Sequence, residues 1–264
     1  VSRRDAYTGL LFGLSALIGL AALAFPFLVA AARATGTEIA LRNGETALLT
    51  ALLVTLCLGV LLVEVQGQAA NANTIAVLGL LVAIAATLRF IEVGIPGPGG
   101  FSPIFAPIIL GGYVFGARFG FLLGTMAMLT SAILTAGVGP WLPYQMFTAG
   151  WIGLTAGWLP HPKRPAAELG LLLLFGFGWG FLYGAILNLY TWPLLTGDPA
   201  TTWAPGTGLG GTLARYGAFY LLTSLVWDSM AAAGNVVLLA ILGIPAVRAL
   251  SRFHDRMTFK VSTP

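Results

Sequence analysis

Polar side chains are scarce in this chain, and those embedded in apolar runs are the first candidates for chemistry. Asp228 lies within a long apolar stretch near the C-terminal end, and Gln145 and Asn188 are amides in greasy surroundings. An ionisable group inside such a segment is costly and marks a functional position by default. A buried amide needs a hydrogen-bonding partner. Asp228 admits two roles, holding a ligand amine or anchoring a polar network with Trp227, Ser229 or Asn235. Arg89 and Glu92 are three residues apart, which on a helix permits a mutual ion pair or a charged lip above a cavity. Trp141, Tyr144, Tyr183, Tyr190, Trp192, Tyr216 and Tyr220 surround these groups in sequence. Such a set suits recognition of an organic solute. Arg89 would meet an anionic or amide group, Trp141, Tyr144 and Tyr190 would stack on a ring, and Gln145 and Asn188 would bond its edge. The same aromatics also suit the interfacial belt of a membrane protein.

Catalytic patterns are lacking. The sequence has no HExxH, no pair of intramembrane aspartates and no serine with a plausible histidine, since His161 and His254 fall in short polar stretches. Cys57 is a lone cysteine in an apolar run, which excludes a disulfide framework and a cysteine metal site. No cofactor and no metal are expected. There is no Walker A sequence, so any ATP hydrolysis belongs to a partner.

The elements that must position these residues are membrane helices. Of the 264 residues 58% are hydrophobic and 8% are charged, against about 25% charged in soluble domains. Mean hydropathy is +0.90. Apolar runs predict helical spans at roughly 8–32, 46–65, 74–91, 103–116, 119–137, 143–160, 167–194 and 214–249. The fourth is short for a crossing and the last two are long, which predicts tilted or broken helices. The run at 8–32 is too long for a signal-peptide core and reads as an uncleaved first span.

Nine of the 13 basic residues (Arg3, Arg4, Arg118, Lys163, Arg164, Arg248, Arg252, Arg256 and Lys260) share one side, and Arg33, Arg42, Arg89 and Arg215 the other. The bias predicts a cell-membrane protein with both termini cytoplasmic. The loops at 92–102, 137–143 and 194–213 then face outward and hold the Gly-, Pro- and Trp-rich turns, including Gly139-Pro140-Trp141-Leu142-Pro143. Net charge is +4 without a basic run, which gives no support for nucleic-acid binding.

Small residues form helical rows. Ala72, Ala76, Gly79, Ala83 and Ala86 step by four, three, four and three, a face that lets another helix approach closely. Gly112, Gly116, Gly120 and Gly124 form a second row, and Gly176, Gly180 and Gly184 a third. Each fits internal packing or docking of a separate subunit, with the first row the better candidate for docking.

Four stretches carry a family resemblance: the helix ending in Ala-Ala-Thr-Leu-Arg at 85–89, FSPIFAPIILGGYVFGARFGFLLG at 101–124, GVGPWLPYQMFTAGWIGLTAG at 137–157 and AAAGNVVLLAILGIPAVRALSRF at 231–253. In order and spacing the chain resembles the S component, the substrate-binding membrane subunit, of an energy-coupling factor vitamin transporter. The resemblance implies an all-α polytopic protein with a six-helix core at 67–253, preceded by two additional transmembrane helices within 1–66 and followed by a basic tail at 254–264. It also implies a non-enzymatic subunit that captures a vitamin or related micronutrient and works with a transmembrane coupling subunit and two ATPase subunits. The row from Ala72 to Ala86 matches in kind the small-residue face by which such subunits meet the coupling subunit. Among substrates the nearest likeness is to subunits associated with cobalamin or its precursors. The competing class is a standalone channel or an intramembrane enzyme.

Overall fold

The computed structural model describes residues 3–35, 72–95 and 99–258, and every regular element in them is helical. In chain order these are α1 (Arg3–Ala34), α2 (Ala72–Gly94), α3 (Phe105–Phe115), α4 (Ala117–Leu134), α5 (Leu142–Ala156), α6 (Pro165–Thr191), a 3-10 turn (Trp192–Leu194), α7 (Gly208–Thr223) and α8 (Leu225–Thr258). Among the described residues four segments are long and apolar enough to cross a membrane: Asn73–Gly94, Ala117–Leu134, Pro165–Leu194 and Leu225–Asp255. The span expected at 46–65, with Cys57, lies outside the described residues.

The expected fourth and last spans depart from single full crossings, as their lengths suggested. The short fourth span is α3, 11 residues or about 16 Å of helix, roughly half a hydrocarbon core. The last span, read as 214–249, is two helices separated at Ser224. Chain alternation puts residues 99–104, 135–141 and 195–207 at one end of the bundle, the loop end. Arg118, Lys163 and Arg164 lie at the other, the basic end.

The turns follow from local chemistry. Gly116 has φ +92°, a conformation open to glycine at little cost, and it separates α3 from α4. At the end of α4 the Gly137 amide donates to the Ala132 carbonyl at 2.8 Å, while Ala136 adopts φ +53°. This is the six-to-one bond of a Schellman motif, with alanine where glycine is usual. The helix therefore stops at Leu134, ahead of Gly139 and Pro140. Pro143 occupies the first turn of α5, where its missing N–H leaves no helix bond unmade.

The core is a glycine-interlocked block. A Cβ at Gly112 or Gly120 would overlap the Gly153 carbonyl, one at Gly124 would overlap the Ala149 carbonyl, and one at Gly157 would overlap the Ala117 backbone. The second glycine row thus packs α3 and α4 onto α5, and Ile108, Ile109, Leu123, Met146 and Ile152 are fully buried around it. The third row is internal as well: Gly176 packs against Leu239, Gly180 against Ala232 and Gly184 against Asp228, which brings α6 and α8 close. Asn235, buried on that same face of α8, donates to the Gly176 carbonyl at 3.0 Å. By contrast α7 has no buried residue.

Candidate functional site

Three polar and aromatic groups meet the loop-end half of α6. The first lies at the end of α2. The Arg89 guanidinium pairs with the Glu92 carboxylate at 3.2 Å and donates to the Ser102 hydroxyl at 2.9 Å. Ser102, itself buried, donates to Glu92 at 2.6 Å. The i,i+3 pair allowed by the sequence is formed, and a serine missed in the sequence reading completes it. Arg89 and Glu92 balance each other's charge, and the pair remains partly exposed. Neighbouring residues fix the loop: Gly99 and Gly100 lie directly on Trp227, and Phe101 covers Gly234. Gly100 has φ +82° and faces the Trp227 carbonyl, so a side chain there would be strained as well as obstructed. On the α6 side Tyr183 stands edge-on to Phe105, with ring centres 4.6 Å apart. Tyr183 is half-buried, packs against the core and lies within electrostatic reach of Arg89 and Glu92.

The second group joins α5 to α6. Tyr144 is buried and its ring lies 4.4 Å from that of Tyr190, tilted by 34°. Seven residues separate Tyr183 from Tyr190, so both project from one face of α6, about 10 Å apart along the axis. Gln145 is half-buried, and among the described residues no hydrogen bond occupies its side-chain amide. Trp141 behaves differently. It is 47% exposed, and its indole N–H donates to the Gly137 carbonyl at 3.2 Å, the posture of an interfacial anchor.

The third group lies among α6, α7 and α8. Asn188 donates to the Ser224 hydroxyl at 2.7 Å, and the Tyr220 hydroxyl donates to the Asp228 carboxylate at 2.7 Å. The Tyr216 hydroxyl donates to the Ala185 carbonyl. Gly184 leaves room for the Asp228 carboxylate against α6. Asp228 is therefore anchored in a polar network, though by none of the partners considered from sequence. Ser229 donates to the Leu225 carbonyl and Asn235 to Gly176. No metal-binding cluster of His, Cys, Asp and Glu occurs among the described residues.

Of the seven residues singled out for a ligand, Tyr144 and Tyr190 are in ring contact, and Asn188 and Asp228 share the α6–α7–α8 network. Arg89 is tied to Glu92 and Ser102, Gln145 adjoins Tyr144, and Trp141 points away. The row on α2 divides in a similar way. Ala76, Gly79 and Ala83 are exposed, with open space beside Gly79, whereas Ala86 is fully buried within the chain.

At the basic end, His161 stacks on Tyr113 with ring centres 4.3 Å apart, and its Nε2 lies 3.1 Å from the Tyr113 carbonyl. The Tyr113 hydroxyl donates to Glu168 at 2.9 Å. These bonds fasten the α5–α6 loop to α3 and offer no reactive arrangement.

The described residues are thus all-helical, with four segments able to cross a membrane and aromatic, amide and acidic side chains gathered at the loop end of the bundle. The comparison with known families is specific. The model of the ECF transporter, substrate-specific component family matches residues 73–243, about two thirds of the chain. The chain belongs to that family, and is thereby a multi-pass membrane subunit with a substrate-binding role in transport. No curated protein and no solved structure matches it.

Proposed function

We propose that this protein captures a vitamin or related micronutrient at the loop end of its bundle for ATP-driven uptake. The observation that carries the reading is the convergence of three groups on α6: Arg89–Glu92–Ser102 beside Tyr183, Tyr144 beside Tyr190, and Asn188, Ser224, Tyr220 and Asp228 together. The tyrosine rings supply stacking surface, Gln145 and Asn188 supply edge-binding amides, and Asp228 accepts hydrogen bonds from a ligand N–H or O–H. Trp141 belongs to the membrane interface in this reading, and Arg89 contributes through the donors that Glu92 and Ser102 leave unused.

Residues 67–253 act as a six-helix core, with two additional helices within 1–66 and a basic tail at 254–264. The core works with a transmembrane coupling subunit and two ATPase subunits in the cell membrane. The basic end and both termini are cytoplasmic, which the nine-to-four distribution of Lys and Arg supports. Ala72, Ala76, Gly79 and Ala83 face the coupling subunit. Exposure of the last three supports that role, and Ala86 shapes the internal packing of α2.

Purification without added solute, followed by mass spectrometry of the small molecules released on denaturation, tests the proposal. Titration with a panel of vitamins that begins with cobalamin and its precursors completes it. A single vitamin-like compound recovered in stoichiometric amount is expected. Repeated recovery of none, with no binding across the panel, contradicts the reading.

A further inference from the structure

The family match begins at residue 73, and α1 lies wholly outside it, yet α1 reaches the loop end through a chain of aromatic contacts. Gly19, Ala22, Pro26 and Val29 are buried and spaced three, four and three residues apart, which places them on one face. Gly19 fits against Trp151 and Phe147 of α5, where a Cβ would leave too little room. Two turns further on, Phe27 stands edge-on to two indoles at once. Its ring centre is 6.0 Å from that of Trp192 at 69° and 5.7 Å from that of Trp203 at 82°. Edge-to-face pairs of this geometry are favoured by the ring quadrupoles.

Both tryptophans belong to the segment that leads from α6 to α7. Trp192 is 1% exposed, and its indole N–H donates to the Thr201 carbonyl at 2.8 Å. Its ring packs on Tyr216 at 4.9 Å. Arg215 donates to the Thr202 carbonyl at 3.2 Å, a second tie between the loop 195–207 and α7. Tyr216 in turn bonds the Ala185 carbonyl beside Asn188 and Asp228. Because α7 buries no residue of its own, its pose depends on these few contacts.

We propose that α1 is a working part of the site, with Phe27 as a positioning residue wedged between Trp192 and Trp203 that holds the loop 195–207 and α7 in place over the Asn188–Asp228 network. That the loop covers a bound solute rests on the function proposed above; that Phe27 sets the loop's position does not.

Hydrogen–deuterium exchange of the full chain in lipid nanodiscs separates the two. Phe27→Ala is expected to raise exchange about tenfold across 195–207 and the first turns of α7, with α4 and α5 unchanged. Phe27→Tyr, which keeps the ring, restores the slow rate, and Phe25→Ala, at an exposed position of the same helix, leaves it as it was. Unchanged exchange at 195–207 in Phe27→Ala overturns the proposal. So does an equal rise in α4 and α5, or the same response to Phe25→Ala. Should the loop respond as expected while native mass spectrometry finds no solute on the wild type, the positioning role stands and the transport reading falls.

Discussion

The block formed by α3, α4 and α5 and the assembly of α7 with the loop-end half of α6 are built from the same kinds of residue, yet they are held together in opposite ways. In the first, glycines bring backbone against backbone, and the side chains between them are fully buried. In the second, no residue of α7 is buried, and the ties are individual hydrogen bonds from Tyr216, Tyr220, Asn188 and Arg215 together with the ring contacts of Trp192 on Tyr216 and Phe219. Close backbone packing resists displacement, because many small contacts would be lost at once. A helix held by single side-chain bonds and ring contacts can be released by breaking them one at a time. The difference locates rigidity in the block and adjustability around the candidate site, where a solute must enter and leave.

Substitutions that fill the glycine contacts should have the largest effect. Gly153→Leu forces a side chain into the backbone of Gly120 and is expected to cost at least about 3 kcal/mol, seen as loss of monodisperse protein or a sharply lowered melting temperature. A folded variant of near wild-type stability would show that the block is looser than its geometry. At the other region, Asp228→Ala removes the acceptor of Tyr220 and should weaken solute binding about 10- to 100-fold in titration, with a smaller change in melting temperature. If Gly153→Leu and Asp228→Ala destabilise the chain alike, the contrast between the two regions fails.

A third substitution addresses the exposed face of α2. Ala83→Leu places a larger side chain on the row left open by the fold and should weaken association with the coupling subunit about tenfold in a pull-down titration, while solute binding stays unchanged. The smallest expected effect is at Ala136, held at φ +53°. Ala136→Gly relieves the left-handed conformation and should stabilise the chain by about 1 kcal/mol in thermal unfolding.

Part of the turn at 137–146 was legible in the sequence. Pro143 enters the first turn of α5 and Tyr144 is buried, whereas Trp141, expected to stack on a ligand ring, is half exposed. Asp228 was harder. In one continuous helix, Tyr220 and Asp228 would stand about 12 Å apart along the axis, out of reach of each other. The break at Ser224 brings hydroxyl and carboxylate to 2.7 Å; the excess length of the apolar run from 214 to 249 pointed to a tilted or broken helix without placing the break. Ser102 was hidden for another reason: its partners lie 10 and 13 residues away, beyond a Gly- and Pro-rich stretch whose sequence carries no helical periodicity. Phe27 had no signal at all, since a phenylalanine in an apolar span is ordinary until the helix is seen against Trp192 and Trp203. The rows of small residues were plain in the sequence, but their partners depend on which helices become neighbours. Two of the three proved internal along most of their length.

The central claim is that a solute binds at the loop-end half of α6. Native mass spectrometry of the wild type and of Asn188→Leu and Ile241→Ala variants tests it most directly, because Ile241 is exposed on α8 about 20 Å along the axis from Asp228. The expected result is one small molecule retained by the wild type and by Ile241→Ala and lost from Asn188→Leu. Equal retention by Asn188→Leu and the wild type would contradict the claim.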